Sequence, residues 1–364
     1  MGKGVAFLLA LFFLTASCLI APLPANAVSK TIVVPDDYPT VAAAVGNATA
    51  GDTIFVKKGT YEEKTLEISK TLSLIGEGAN QTTINLYPPY NETWILTQSF
   101  RTYANAITIN ANDVKLEGFT TASDGGEISV TGNRIQIIGN TISTDLSVND
   151  SFNILVENSV FLNINLDNVN SSTITNNTCF SVRIGFSKIC LDNVISGNRI
   201  EGGYYGIHIE RSTNNVFCKN YIANIHGWGE GDKNAGGVRF DYGCKAENNT
   251  FYHNVFIDNN YNVAFDENVT LVGNLWDNGS EGNYWDDYNG TDINRDGIGD
   301  TPYVINGANV DRYPLMLPYD IENNSVVLPP PELFPTTLVV LASVATIAVV
   351  GIGLLFYFKK RKRQ

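Results

Sequence analysis

The sequence predicts an all-β fold, a right-handed parallel β-helix, and three observations predict it. One phrase recurs between Asn112 and Phe256, the apolar residues in it alternate as strand residues do, and helical periodicity is missing from that stretch. The phrase reads Asn133-Arg-Ile-Gln-Ile-Ile-Gly-Asn140, then Asn153-Ile-Leu-Val-Glu-Asn158, Asn193-Val-Ile-Ser-Gly-Asn198, Asn215-Val-Phe-Cys-Lys-Asn220 and Asn249-Thr-Phe-Tyr-His-Asn254. Successive copies lie roughly 18 to 22 residues apart, a solenoid period. A single turn cannot bury its own Val, Ile and Phe, so the turns must stack. Asparagine suits the corners because it tolerates the left-handed backbone conformation, and stacked asparagines can form hydrogen-bonded ladders. No L-x-x-L-x-L phrase occurs, which excludes a leucine-rich horseshoe; a β-sandwich is the alternative that alternation alone leaves open.

Ahead of the repeats, Val33-Val34-Pro35-Asp36-Asp37-Tyr38-Pro39-Thr40-Val41-Ala42-Ala43-Ala44-Val45 reads as a strand followed by a short helix, then Gly51-Asp52-Thr53-Ile54-Phe55-Val56 as a further strand. A capping helix is needed there because an open solenoid end is an unpaired sheet edge. Beyond the repeats come Gly282-Asn283-Tyr284-Trp285-Asp286-Asp287-Tyr288, an aspartate-rich stretch from Asp292 to Asp300, and Asp311-Arg312-Tyr313-Pro314-Leu315-Met316. This ending resembles the close of archaeal surface β-helix proteins related to the NosD family. The opening resembles β-helix proteins of the carbohydrate-binding and sugar-hydrolysis group, which are pectate-lyase-like. Together the resemblances cover nearly all of residues 30–316 and imply the fold far more firmly than any function.

The chain ends suggest export. Lys3 precedes an apolar run, and Ala25-Asn26-Ala27 forms an A-x-A cleavage pattern, so residues 1–27 are expected to be a signal peptide; a lipoprotein signal through Cys18 competes with it. Residues 28–316 would form the ectodomain, with 282–316 as its C-terminal cap. Residues 317–335, containing Pro329-Pro330-Pro331, read as a stiff stalk. Residues 336–358 carry no charge and span roughly 34 Å as a helix, enough to cross a bilayer. The basic tail, 359–364, is expected in the cytoplasm.

Setting aside Lys3 and the five basic residues of the tail, the 24 basic residues fall to 18 against 37 acidic ones, a net charge of −19. That field repels phosphate backbones and argues against a nucleic-acid partner. Asn-x-Ser/Thr sequons recur from Asn47 to Asn323 and permit glycosylation outside the cell. Of five cysteines, Cys18 lies in the leader; Cys179, Cys190, Cys218 and Cys244 could form two disulfides in any of three connectivities.

Aligning the repeats brings Ile164-Asn-Leu-Asp167, Val182-Arg-Ile-Gly185, Ile207-His-Ile-Glu210, Val238-Arg-Phe-Asp241 and Val263-Ala-Phe-Asp266 into register. The apolar members point inward. Outward stand two columns: Asn165, Arg183, His208, Arg239, Ala264, and Asp167, Gly185, Glu210, Asp241, Asp266. Rungs about 4.8 Å apart would put Glu210 and Asp241 near the separation of a retaining glycosidase's carboxylates. With Arg183, Arg239 and His208 they could alternatively form a lyase-like site, in which cations neutralise a uronate. A solvated charge ladder is the bland reading. The candidate ligand-binding set is Asp167, Arg183, His208, Glu210, Arg239, Asp241 and Asp266, joined by Trp228 in the long interval between Asn220 and Asn254, where an indole could stack on a sugar ring.

Asp292, Asn294, Asp296 and Asp300 place oxygens at positions 1, 3, 5 and 9 of a calcium-type loop, with the Ile298 carbonyl at 7 and Gly297 at the sharp turn. Position 12 is Tyr303, so Asp286, Asp287 or Asp311 would have to complete the shell. The NosD resemblance implies a part in maturing a copper enzyme. The chain holds only His208, His226 and His253, and beyond the initiator its sole methionine is Met316, a poor supply for soft copper sites. The expectation is a membrane-anchored extracellular β-helix that binds surface or environmental polysaccharide without catalysis. A polysaccharide lyase or glycoside hydrolase, a copper-processing accessory protein and a structural envelope protein are the alternatives.

Overall fold

The computed structural model describes residues 29–95, 98–123, 125–227, 232–266 and 273–319. The expected signal peptide, transmembrane helix and basic tail, almost all of the stalk, and Trp228 lie outside these. Among the described residues no helix is long and apolar enough to cross a membrane.

The chain divides into two compact units, residues 1–142 and 143–364, and each is a parallel β-solenoid. In the first, Thr31–Val34, Thr53–Val56, Ser73–Gly76, Lys115–Glu117 and Gln136–Ile138 stack in order as one face. Gly59–Glu63, Thr82–Leu86 and Thr120–Ser123 form a second face, and Leu66–Ile68, Ile107–Ile109 and Ile128–Val130 a third. The helix expected after the first strand runs from Val41 to Asn47, with Val41, Ala44 and Val45 buried. Its N-terminus is tied twice: the Thr40 hydroxyl accepts from the Ala43 N–H, and Glu63 Oε1 accepts from Val41 N at 2.7 Å. A carboxylate there also answers the positive end of the helix dipole. An antiparallel hairpin, Tyr90–Ile95 with Gln98–Tyr103, departs from the coil.

The second unit repeats the pattern on three faces. The longest strands form the face that matters below: Leu146–Phe152, Asn163–Asn170, Ser181–Ile184, Tyr205–Thr213, Gly236–Glu247 and Val263–Phe265. The register is the one the repeats predict. Asn165 pairs with Arg183, Arg183 with His208, His208 with Arg239 and Arg239 with Ala264. Val182, Ile184, Ile207, Ile209, Val238 and Phe240 are fully buried beneath them.

Two buried asparagine ladders hold this register. One runs Asn177, Asn198, Asn220, Asn254, Asn283; the other Asn193, Asn215, Asn249, Asn274. From the second member on, each Oδ1 accepts both the backbone N–H and the side-chain Nδ2 of the asparagine one turn earlier, at 2.9–3.1 Å. Each Nδ2 also donates to an inner carbonyl, as Asn220 does to Ile195 O at 2.9 Å. The left-handed backbone expected of corner asparagines is adopted by Asn153 and Asn158, at φ 55° and 52°, whereas along the ladders it belongs to the residue before the buried asparagine: Asn176, Gly197, Lys219 and His253 on one, Asp192, Asn214 and Asn248 on the other, all with φ between 54° and 64°. The tight corner and the buried amide are thus supplied by neighbouring residues.

Aromatic rings close the C-terminal end. Phe217, Phe251 and Trp276 stack at 4.7 and 4.3 Å, and Phe256, Trp285 and Tyr303 at 4.4 Å each. The Asp311-Arg312-Tyr313 motif locks that stack. Asp311 Oδ2 accepts from Asn283 N at 2.7 Å and Trp285 Nε1 at 2.9 Å, and so ends the first ladder. Arg312 Nε donates to the buried Asp277 at 2.9 Å. A side chain at Gly282 would collide with the Asp311 carboxylate, which accounts for the glycine opening the aromatic motif. The four described cysteines are free thiols, contrary to the disulfides the sequence allowed. The strand period turns Cys179 and Cys190 into the core, where burial raises their thiols to about 12 and about 11.

Adjacent substitutions should therefore act differently. Asn215→Ala strands buried donors and acceptors and is expected to cost ~3 kcal/mol, whereas Asn214→Gly, at φ 58°, should be neutral or slightly stabilising. Urea denaturation of both variants checks this, and equal losses would contradict the division of labour. Burial also pushes the Asp311 carboxyl up to about 6, against the N–H groups that pull it down. Its contribution to stability is then complete below the unfolded value and is lost as pH rises through 6. The stability advantage of the wild type over Asp311→Asn should accordingly shrink by roughly 3 kcal/mol between pH 4 and pH 8; a pH-independent difference refutes it.

Candidate functional site

The stacked columns produce one dense polar cluster, on the strands Ser181–Ile184, Tyr205–Thr213 and Gly236–Glu247. His208 Nε2 lies 2.7 Å from Asp241 Oδ2, and Arg239 Nε donates to the other oxygen, Asp241 Oδ1, at 2.7 Å. Arg183 Nε donates to Glu210 Oε1 at 3.1 Å, and Arg211 Nη1 stands 3.7 Å from Glu210 Oε2. His208 Nε2 is 4.0 Å from Glu210 Oε1, so the two pairs form one network.

Local backbone irregularity builds this arrangement. The pairing of the two long strands slips between Ile209 and Arg211, so that Phe240 and Lys245 bracket an insertion on one strand. Asp241 and Gly243, at φ 73°, fall within it. Bulges re-aim side chains in this way. Here the slip turns Asp241 back toward His208 instead of leaving it in a straight column above Glu210.

His208 and Arg239 are 5% and 3% exposed, although they sit on the outward face. The Tyr205 ring packs on the His208 imidazole at 4.5 Å, and Arg239 Nη1 reaches Lys233 O at 3.2 Å. Asp241 is held down to about 2, chiefly by His208 and then by Arg239, against burial that raises it. At neutral pH it is an anion. Burial pushes the Tyr205 phenol up, so it stays protonated. On the other side of the cluster, the Arg183 guanidinium covers the Phe186 ring at 3.9 Å, and Phe186 is 55% exposed.

The other sequence candidates fare differently. Asp167 is spent on the turn after Gly185, accepting from Ser187 N and Lys188 N at 2.7 Å each. Asp266 stays at the edge, 3.6 Å from Arg239 Nη2. Tyr205, Phe186 and Arg211 are the members that column reasoning missed. A sequence signal existed for Arg211, next to Glu210 on one strand, and for Phe186, next to Gly185 just past the end of its strand; Tyr205 stands three residues before His208 and had none.

Among the described residues, the group of three metal-capable side chains whose ligand atoms all lie within 4.8 Å of one another is His208, Glu210 and Asp241. The expected calcium loop wraps its oxygens onto its own backbone. Asp292 accepts from Asp296 N and Gly297 N, Asp296 from Ile298 N, and Asp300 from Ile293 N, at 2.7–3.1 Å, and Asn294 Oδ1 accepts from Asp296 N. The carboxylates expected to complete the shell are engaged elsewhere: Asp311 in the ladder, Asp286 and Asp287 with Asn262.

These features define a class: a β-solenoid carrying a polar, aromatic-flanked cluster on its broadest sheet. The chain belongs to the NosD family, described as periplasmic copper-binding protein, whose sequence pattern matches residues 45–290. It is 29% identical over 310 residues to a cell surface glycoprotein of Methanothermus fervidus, covering 66% of this chain and 49% of that one. It is 36% identical over 141 residues to a probable ABC transporter binding protein NosD of Stutzerimonas stutzeri, covering 39% and 28%. The chain thus spans about half or less of these relatives. A mannuronan C-5 epimerase A-module from Azotobacter vinelandii aligns over 67% of this chain and 86% of its own at 13% identity, with a TM-score of 0.37; a score at that level carries no inference about activity.

The residues do not fit the copper of the family's description. The histidines are dispersed, each with its own acid: His208 with Asp241, His226 with Asp258, His253 with Glu281. Cys179, Cys190 and Cys218 are buried, and burial raises all three thiols. A soft cation finds neither thiolate nor clustered imidazole in the described part of the chain.

Proposed function

We propose that this chain is an exported, membrane-anchored solenoid, wound right-handed and closed at its start by the 41–47 helix, that binds polysaccharide outside the cell without transforming it. The observation that carries this reading is the cluster itself. An imidazole and a guanidinium are held almost fully buried on an outward face, with Phe186 and Tyr205 on either side. Sugars are recognised by such a mix: charged groups fixed by one another to meet hydroxyls, and rings to cover apolar C–H faces. A family described as periplasmic and a relative named cell surface glycoprotein agree with a site outside the cytoplasm.

A glycan array with the full-length protein is expected to reveal a polysaccharide ligand, with binding at least tenfold weaker in Arg183→Ala and Phe186→Ala. An empty array, or variants that bind as wild type, speaks against the reading. Catalysis by Glu210 and Asp241 is the second reading, favoured by carboxylate oxygens within 4.8 Å. Turnover of an acidic polysaccharide that disappears in Glu210→Gln would put it first.

Calcium belongs to the same proposal as a structural ion. Asp292, Asn294, Asp296, Asp300 and the Ile298 carbonyl would hold it and pin the C-terminal cap. Millimolar calcium should raise the melting temperature of the wild type and leave Asp296→Ala unchanged in differential scanning fluorimetry. No shift in the wild type eliminates the ion.

A further inference from the structure

The last coil and the antiparallel hairpin of Tyr303–Asn306 with Asn309–Asp311 leave a cleft of about 510 Å³, within the ~300–1,000 Å³ range of small-molecule sites. It shares no residue with the His208 cluster, and its electrostatics are opposite. Asp258, Asp286 and Asp287 line it, and neither lysine nor arginine does. An anionic ligand is repelled here; a cationic one is drawn in.

A bare divalent ion does not match the carboxylates. Asp286 accepts from Asp258 N at 2.6 Å and Asn262 Nδ2 at 3.2 Å, and Asp287 from Asn262 Nδ2 at 2.9 Å and the Tyr303 hydroxyl at 3.1 Å. These fixed carboxylates still have lone pairs for a hydrogen-bonded ammonium. Asp258 is the more open group: its side chain is 70% exposed, with His226 Nε2 3.7 Å away. At the back, Asn260 Oδ1 meets His226 Nδ1 at 3.0 Å, while Asn260 Nδ2 is buried with no acceptor among the described residues. Apolar surface comes from Tyr261, 38% exposed, and Val304, 63% exposed, and Tyr303 is held by stacking on Trp285.

We propose that this cleft binds an amino sugar. Its ring lies on Tyr261 and Val304, and its ammonium meets Asp258 and Asp287. The inference stands independently of what the His208 cluster binds.

Isothermal titration of the full-length protein at low salt tests it, with trimers of glucosamine, N-acetylglucosamine and galacturonate, and with spermidine as a cation lacking a ring. The glucosamine trimer is expected to bind, and the other three to bind at least tenfold more weakly. Asp258→Asn and Tyr261→Ala should each weaken it tenfold. Both side chains are exposed, and asparagine accepts the φ of 51° at position 258, so folding survives. Glu210→Gln should have no effect, which separates this site from the other. Absence of glucosamine binding, equal binding of galacturonate or spermidine, or unchanged affinity in the two variants overturns the proposal.

Discussion

The buried amide ladders are the constraint on which the second unit depends. An asparagine side chain inside a solenoid must satisfy two donors and an acceptor without water, and stacking on an identical residue one turn away does so while also pairing the backbone N–H. Leaving one of these groups unpaired costs about 1–3 kcal/mol, so a slip of one turn against the next is penalised at every rung. The ladders therefore fix which residues become vertical neighbours. Every property of the outward face follows from that registration, because residues a score or more apart in sequence come within one strand spacing of each other.

On that face, alternation of charge makes the cluster tolerable. Glu210 and Asp241 bring like charges within 4.8 Å of each other, and neighbouring donors offset both: Arg183 takes Glu210, and His208 and Arg239 share Asp241. The carboxylates are oriented by these partners, and most rotamer freedom of the partners is already lost. A site prepared in this way meets a ligand without first reorganising. The same occupancy makes it a poor metal site, since an incoming ion would have to displace guanidinium groups from its ligands.

The C-terminal closure solves a different problem. A solenoid ends on an unpaired edge, and this one ends by converting its ladder into a carboxylate. Asp311 receives the last asparagine, Trp285 and the following turn together, while Arg312 crosses to Asp277. The aromatic motif, the aspartate-rich loop and the Asp-Arg-Tyr motif are thus parts of one seal. Their family-like appearance in the sequence has this mechanical cause, and the acidic cleft lies beside the same seal.

The coil, its register and the composition of the outward columns were legible in the sequence, because strand alternation and the spacing of Asn193, Asn198, Asn215 and Asn220 are local properties of the chain. Tertiary structure alone decided which column members work together. Asp167 and Asp241 occupy equivalent places in the repeat, yet one caps a turn and the other binds His208, since a register slip of a few residues at Asp241 redirects it. The thiols were uncommitted in sequence, and burial left them unpaired. The cleft had no sequence signature, because its walls come from three segments, around Asp258, Asp286 and Tyr303, that only folding brings together. Local periodicity sets how the chain winds; the partner a side chain finds depends on contacts between distant turns, and periodicity does not encode those.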